Sequence, residues 1–201
     1  VALVTDMNQP LGHEVGNANE VKEAIEILKG NGDEDETTIA LTIASYMAVL
    51  GGAYKEFDDA YRNLTNDIKS GKAINKFREF IRIQGGDTSI VDNPELLPQA
   101  KKHIEVVSNN SGYVTAIDAQ KIGVAAMLLG AGRKTKEDTI DHSAGITMMK
   151  KIGDKVAEGD TLCILHTNID EYNEAYNMAN EAFDIGNAKP DPVKFIHDII
   201  K

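Results

Sequence analysis

The sequence predicts an α/β segment over residues 1–100, followed by an α+β domain over residues 101–201 that carries a barrel-sandwich-like strand-turn-strand unit. Three observations carry this reading. The chain opens on an uninterrupted apolar run, Val1-Ala2-Leu3-Val4. Apolar residues at helical spacing then give way, beyond the turn-rich connector Asp92-Asn93-Pro94 to Pro98, to the alternation expected of strands. Two Gly-Asp pairs, Gly153-Asp154 and Gly159-Asp160, mark a double reversal between two strand-like runs.

The opening run ends in Thr5-Asp6 and a loop containing Pro10 and Gly12, and reads as a strand buried on both faces, as in a parallel sheet covered by helices. One strand forms no sheet, so its partners come from later in this chain or from the earlier part of a longer protein. Asn17-Ala18-Asn19-Glu20 has the spacing of a capping box, and Val21, Ala24, Ile25 and Leu28 follow on one helical face, with Glu23 off that stripe and Gly30 placed as the C-terminal cap. The acidic run Asp33 to Glu36 precedes Ile39 to Leu50 and reads as a solvated helix start, favoured by the positive end of the macrodipole. Two more helices are written by Phe57, Ala60, Tyr61, Leu64 and Ile68, then by Ile74, Phe77 and Ile81, with Gly71 and Gly85-Gly86 as punctuation. Their aromatic residues fall on core positions.

Beyond the connector, Ile104 to Val107 and Tyr113 to Ile117 read as strands joined by the turn Ser108 to Gly112, and a helix runs from Ala119 to about Leu129. Ile146 to Ile152 and Thr161 to Thr167 bracket the Gly-Asp pairs, whose glycines are expected at positive φ with Val156 turned inward between them. Ala175, Tyr176, Ala179, Ala182 and Phe183 mark a last helix ending before Gly186.

Charge narrows the class of partner. With 21 basic and 32 acidic residues the formal net charge is −11, so the clustered cations that hold a polyphosphate backbone are missing and nucleic acid is not expected as a partner. Hydrophobic residues at 42% and charged residues at 26% suit a globular chain with a core of its own. No apolar stretch reaches the ~18 to 20 residues of a membrane span, no signal-peptide layout is present, and Cys163 alone forms no internal disulfide; the expected location is the cytoplasm.

Chemistry is sparse. Asp141-His142-Ser143 has the residue types of a hydrolase triad, but consecutive residues do not form the required relay. Cys163, between Leu162 and Ile164, reads as a buried structural thiol. His13, His103, His142, His166 and His197 are scattered without metal-ligand spacing, which gives a zinc site no sequence support. Gly130 and Gly132, with Arg133, Lys134 and Thr135, follow a helix rather than precede one, and read as its C-terminal end instead of a phosphate loop. The double turn raises an alternative, a non-catalytic carrier or binding module of biotinyl or lipoyl type. None of Lys150, Lys151 and Lys155 has the flanking signature of a modified lysine at a hairpin tip.

The run Thr5-Asp6-Met7-Asn8-Gln9-Pro10-Leu11-Gly12, continuing through Val15-Gly16-Asn17-Ala18 and Glu20 to Glu26, closely resembles a segment of the pyrimidine-nucleoside and thymidine phosphorylases. Gln84 to Asp87, Gly112-Tyr113-Val114, Leu129 to Arg133 with Lys136-Glu137-Asp138, and Ala144-Gly145-Ile146 through Gly159 agree with the same family in the same order. The resemblance covers essentially the whole chain, but only the back half of such an enzyme: the tail of its large α/β domain and a smaller C-terminal α+β domain.

That resemblance implies the reversible attack of inorganic phosphate on the anomeric carbon of a pyrimidine (deoxy)ribonucleoside, releasing the free base and a pentose 1-phosphate. The phosphate loop and the Arg/Ser/Lys set around the base lie upstream in the family, so it assigns no catalytic residue here and implies that the isolated chain is inactive. It also implies a homodimer for the whole enzyme and a potassium site, with calcium able to take its place. Transferred by motif, the ligands are the backbone carbonyls of Leu11 and Glu14 and the carboxylate of Glu23, which leaves its helix's apolar stripe and so can face the loop at Leu11. Relatives often carry a small residue where Glu14 stands, so its extra carboxylate is expected to bear on ion preference.

Overall fold

Ala2–Thr5 forms a strand, β1, but its neighbour is antiparallel: β9 (Ile196–Ile200) pairs with it from Ala2↔Ile200 to Thr5↔Ile196, with an irregularity between Val4 and Thr5. The computed structural model describes residues 1–201, the whole of the sequence. The expectation of a strand buried on both faces in a parallel sheet is corrected here, since β1 alternates between exposed and half-buried residues in a two-stranded ribbon. The sequence reading assigns no element to β9, and its pairing with β1 defines it.

The remaining elements follow in order: β2 (Glu14–Gly16), α1 (Ala18–Lys29), α2 (Glu34–Leu50), α3 (Phe57–Lys69), α4 (Lys72–Ile83), α5 (Ser89–Asp92), β3 (Lys102–Val107), β4 (Gly112–Ile117), α6 (Ala119–Ala126), β5 (Gly145–Met148), β6 (Lys155–Val156), β7 (Thr161–Thr167), α7 (Asn173–Asn180) and β8 (Phe183–Gly186). The chain is thus mixed α and β, with every sheet antiparallel.

They group into two units, neither continuous in sequence: Val1–Asp6 with Lys22–Leu96 and Lys194–Lys201, and Met7–Val21 with Leu97–Val193. A single division into 1–100 and 101–201 differs from this arrangement in Met7–Val21, in Lys194–Lys201 and, at the boundary itself, in residues 97–100. The reason is long-range strand pairing, which leaves no trace in composition: β2 joins β5, and β9 joins β1.

The first unit is the β1–β9 ribbon with most of α1 and with α2 to α5. Rings interlock between α2 and α3, with Tyr46 and Phe57 centroids 4.6 Å apart and Phe57 and Tyr61 5.8 Å apart, so these aromatics are packing residues as expected. Arg78 on α4 grips Asp92 at the end of α5 through two bonds of 2.7 Å, a bidentate pair that sets the direction of the short helix. The acidic start of α2 is not wholly solvated, because Asp35 is buried and its Oδ1 accepts the Glu36 N–H at 2.9 Å.

The second unit holds two sheets, ordered β2-β5-β7-β3 and β6-β4-β8. Its core gathers Ile122, Ala125 and Leu129 from α6 and the turn after it, Ala175 and Ala179 from α7, and Val106, Ile146, Leu162 and Leu165 from the strands. The turn Ser108 to Gly112 therefore links strands of different sheets and is no simple hairpin. The last helix is shorter than its apolar spacing suggests: α7 stops at Asn180, and Phe183 enters β8 opposite Ile117. Likewise Ile146 to Ile152 yields only β5, since Met149 and Lys150 both turn their N–H groups to the Leu162 carbonyl.

The Gly-Asp pairs form two equivalent turns. Gly153 and Gly159 sit at φ of 98° and 89°, a region costly to any residue with a Cβ. Each aspartate accepts a backbone N–H three residues back, Asp154 from Lys151 at 2.8 Å and Asp160 from Ala157 at 3.0 Å. Val156 between them is buried, as the sequence predicts.

Candidate functional site

The loop from Asn8 to Gly12, the strongest sequence signal for function, is held by the segment just before the first Gly-Asp turn. Lys151 Nζ donates to the Pro10 carbonyl at 2.6 Å and to the Gly12 carbonyl, while Gln9 Oε1 accepts the Ile152 N–H at 3.0 Å. An ammonium thus gathers backbone carbonyls on both sides of Leu11. These contacts use Lys151 for structure, and the carrier alternative, which needs a lysine at an exposed tip, is not favoured by them.

Leu11 stands in this loop with its side chain 45% exposed, leaving its role to the main chain. Glu14 opens β2 opposite Thr147 of β5. Its carboxylate accepts from Thr147 Oγ1 at 2.7 Å and from Asn19 Nδ2 at 2.9 Å, so the added acid is engaged by the sheet and by the start of α1. Glu23 lies on α1, half-buried. The ligand atoms expected at Leu11, Glu14 and Glu23 are all oxygens, the donor type a hard cation takes.

The start of α1 departs from a regular capping box. Glu20 Oε1 accepts the Gly16 N–H at 2.8 Å, and Asn17 Nδ2 donates to the Ala131 carbonyl at 2.8 Å. Both residues are thereby used to fix β2 and the turn after α6. Gly16 faces Gly145 across the β2–β5 pair, and a Cβ on Gly145 would stand 2.6 Å from the Val15 carbonyl and 2.8 Å from Asn19 Nδ2. The resemblance-bearing stretches Val15 to Ala18 and Ala144 to Ile146 meet here because only glycine admits the approach.

The other candidates resolve into structure. Asp141 and Ser143 do bond, Ser143 Oγ donating to Asp141 Oδ1 at 2.6 Å, but as a local turn that Asn168 Nδ2 closes at 2.7 Å on Oδ2. Burial pushes the Asp141 carboxyl up, and these hydrogen bonds from Ser143 and Asn168 outweigh it, holding the group below its usual range. After the π turn Met127–Ala131 that ends α6, the N–H groups of Lys134 and Thr135 both point to Asp138 Oδ2 at 2.9 Å, so an aspartate occupies the place an anion would take. Asp138 titrates below its usual range because the Thr135 N–H and hydroxyl bind its charged form.

Cys163 is fully buried, and burial pushes its thiol up to about 12. A thiol-specific chromogenic reagent is expected to leave it unmodified in the native protein at pH 8 and to titrate one thiol after denaturation. Rapid native labelling would show the β5–β7 region to be open.

Sequence reasoning missed one cluster altogether. His103 on β3 and His166 on β7 are register partners, and their Nδ1 atoms lie 2.7 Å apart. Spacing along the chain gives no hint of this pair, because 63 residues separate them.

These elements define a mixed α/β protein whose second unit joins two antiparallel sheets through paired Gly-Asp turns. Residues 113–186 match the family described as the pyrimidine nucleoside phosphorylase C-terminal domain. Over 200 residues, 100% of this chain, the sequence is 46% identical to the pyrimidine-nucleoside phosphorylase of Staphylococcus epidermidis (strain ATCC 12228 / FDA PCI 1200) and to that of Staphylococcus aureus (strain USA300). The chain spans about half the length of these curated relatives, 46% of each. The similarity runs along the whole chain to part of these phosphorylases, and residues 113–186 match their C-terminal domain.

Proposed function

We propose that this chain forms the C-terminal half of a pyrimidine-nucleoside phosphorylase, a cytoplasmic homodimer that exchanges the base of a pyrimidine (deoxy)ribonucleoside for inorganic phosphate. The observation that carries the proposal is the 46% identity sustained over the entire chain. A second supports it: α2 is rich in apolar residues on every side, yet Ile43, Met47 and Leu50 stand 41%, 66% and 67% exposed on one stripe, as a helix does when a further part of its protein covers it. No helix is long and apolar enough to cross a membrane.

The chemistry asks for a held phosphate dianion, a steadied oxocarbenium-like centre and hydrogen bonds to the departing base. Within this chain the turns that could cradle an anion are already closed by Asp138 and Asp141. The isolated chain is therefore proposed to be inactive, its contribution being the Gly-Asp domain, of barrel-sandwich type, and the loop at Leu11. In the full enzyme, the Leu11 and Glu14 carbonyls and the Glu23 carboxylate would hold potassium, or calcium in its place. The bound ion supplies a fixed positive charge that orders its oxygen ligands.

The test is phosphate-dependent release of uracil or thymine. The full-length enzyme is expected to show it and the isolated 21.8 kDa chain to show none. Silence from the full-length enzyme overturns the proposed activity, and turnover by the isolated chain overturns the proposed division of labour. In the full-length enzyme, Glu23→Gln is expected to raise the KCl concentration for half-maximal activity about tenfold, as loss of one charged oxygen ligand worth ~1.4 kcal/mol requires. A parallel loss of the KCl-induced rise in melting temperature distinguishes ion binding from catalysis, and an unchanged KCl dependence removes Glu23 from the site.

A further inference from the structure

A chain of hydrogen bonds runs across the exposed face of the sheet β2-β5-β7-β3, touching all four strands. Asn19 Nδ2 donates to Glu14 Oε2 at 2.9 Å, and Thr147 Oγ1 donates to the same oxygen at 2.7 Å. Thr147 Oγ1 also lies 2.8 Å from His166 Nε2, and His166 Nδ1 lies 2.7 Å from His103 Nδ1. The rings meet edge to face, with centroids 5.0 Å apart and planes at 71°.

The direction of each hydrogen follows from what the groups can donate. An ionised carboxylate only accepts, so Thr147 spends its one proton on Glu14 and must accept from His166 Nε2–H. A neutral His166 with its hydrogen on Nε2 has a bare lone pair on Nδ1. That lone pair points at His103, which fills the gap with its own Nδ1–H.

This is the arrangement that prepares an imidazole for a metal: one ring nitrogen is anchored through a hydroxyl to a carboxylate, and the other is aimed at a second imidazole. We propose that His103 and His166 form a binding site for a late first-row divalent cation, Cu²⁺, Ni²⁺ or Zn²⁺, with Nδ1 of each ring as protein ligand and water at the remaining positions. On binding, the His103 proton moves to its own Nε2, so both rings stay neutral and no proton need be lost. Nitrogens ligating one such ion at ~2.0–2.1 Å sit roughly 3.3 Å apart, so the pair must open by about half an ångström. His103 is free to do so, since its side chain is exposed and β3 is an edge strand of this sheet. Imidazole pairs favour these ions over Mg²⁺ or Ca²⁺, and the Irving–Williams order places Cu²⁺ first. The site shares one residue with the proposed potassium ligands, Glu14, whose carboxylate holds Thr147 while its carbonyl is the proposed ligand, and it does not depend on the phosphorolysis proposal.

Calorimetric titration of the full-length protein with CuCl2, NiCl2 and ZnCl2 tests it, with electron paramagnetic resonance of the copper complex as a second readout. One equivalent is expected to bind, with two imidazole nitrogens coupled to copper. His103→Gln, at an exposed position, should weaken that equivalent at least tenfold without altering the melting temperature of the metal-free protein. Thr147→Val should weaken it about tenfold by releasing the His166 tautomer, whereas His197→Gln should leave it unchanged. Absence of binding, or an equivalent that survives His103→Gln undiminished, overturns the proposal, as does a copper spectrum without two-nitrogen coupling.

Discussion

Leu165→Ala is expected to lower the unfolding free energy of the second unit by about 3–5 kcal/mol. Leu165 is fully buried in β7, the strand that joins β5 to β3, and it pairs with Ile146 on one side and Ile104 on the other. Its loss empties a space whose walls cannot collapse, because Ile146 is itself fully buried and fixed in the sheet, and Leu129 closes the core from the turn after α6. The cost adds lost apolar transfer to an unrelaxed cavity. Urea denaturation followed by far-ultraviolet circular dichroism reads the effect. A loss below ~1 kcal/mol would mean that the layer between the sheet and α6 is loosely packed. Leu162→Ala, near the end of β7, serves as the graded control and should cost less where the end of the strand can yield.

The same layer shows what a single sequence discloses. The inward alternation of Cys163, Leu165 and Thr167 along β7 is written in a period of two, and the Gly-Asp pairs announce their turns through residues that tolerate or favour them. Partnership is not written there. Nothing local says that Glu14-Val15-Gly16 will pair with Gly145-Ile146-Thr147, that Phe183 will leave its helical stripe for β8, or that β9 will close on β1. These are tertiary outcomes. The cation ligands proposed at Leu11, Glu14 and Glu23 are readable only through likeness to relatives, because a carbonyl ligand has no side-chain signature and a helical glutamate is usually a solvated one. The His103–His166 pair lay outside even that likeness, since register across β3 and β7 alone creates it.

Lys151→Met is the second large effect expected, and it bears on function as well as stability. The methionine matches the length of the lysine stem but removes the ammonium from the carbonyls of Pro10 and Gly12, leaving two half-buried acceptors without their charged donor. Hydrogen bonds to a charged group contribute ~1.5–3 kcal/mol each, and partial access of water lowers the sum to about 2–3 kcal/mol for the pair. Gln9→Ala, which removes only the acceptor of the Ile152 N–H, should cost about 1 kcal/mol and leave the clamp in place. Lys151→Arg keeps the charge, yet its planar fork cannot converge on two carbonyls as a compact ammonium does, so it should recover less than half of the loss. Amide exchange across residues 8–12 should quicken in Lys151→Met while the β3–β7 pair stays protected, which separates release of the loop from general unfolding. If Leu11 contributes its carbonyl to a bound cation, the loosened loop must also order that oxygen on binding. The KCl concentration for half-maximal activity of the full-length enzyme should then rise in Lys151→Met but hardly in Gln9→Ala. A melting temperature within about 1 °C of the parent protein would show that water replaces the ammonium at little cost and that the loop keeps its shape unaided.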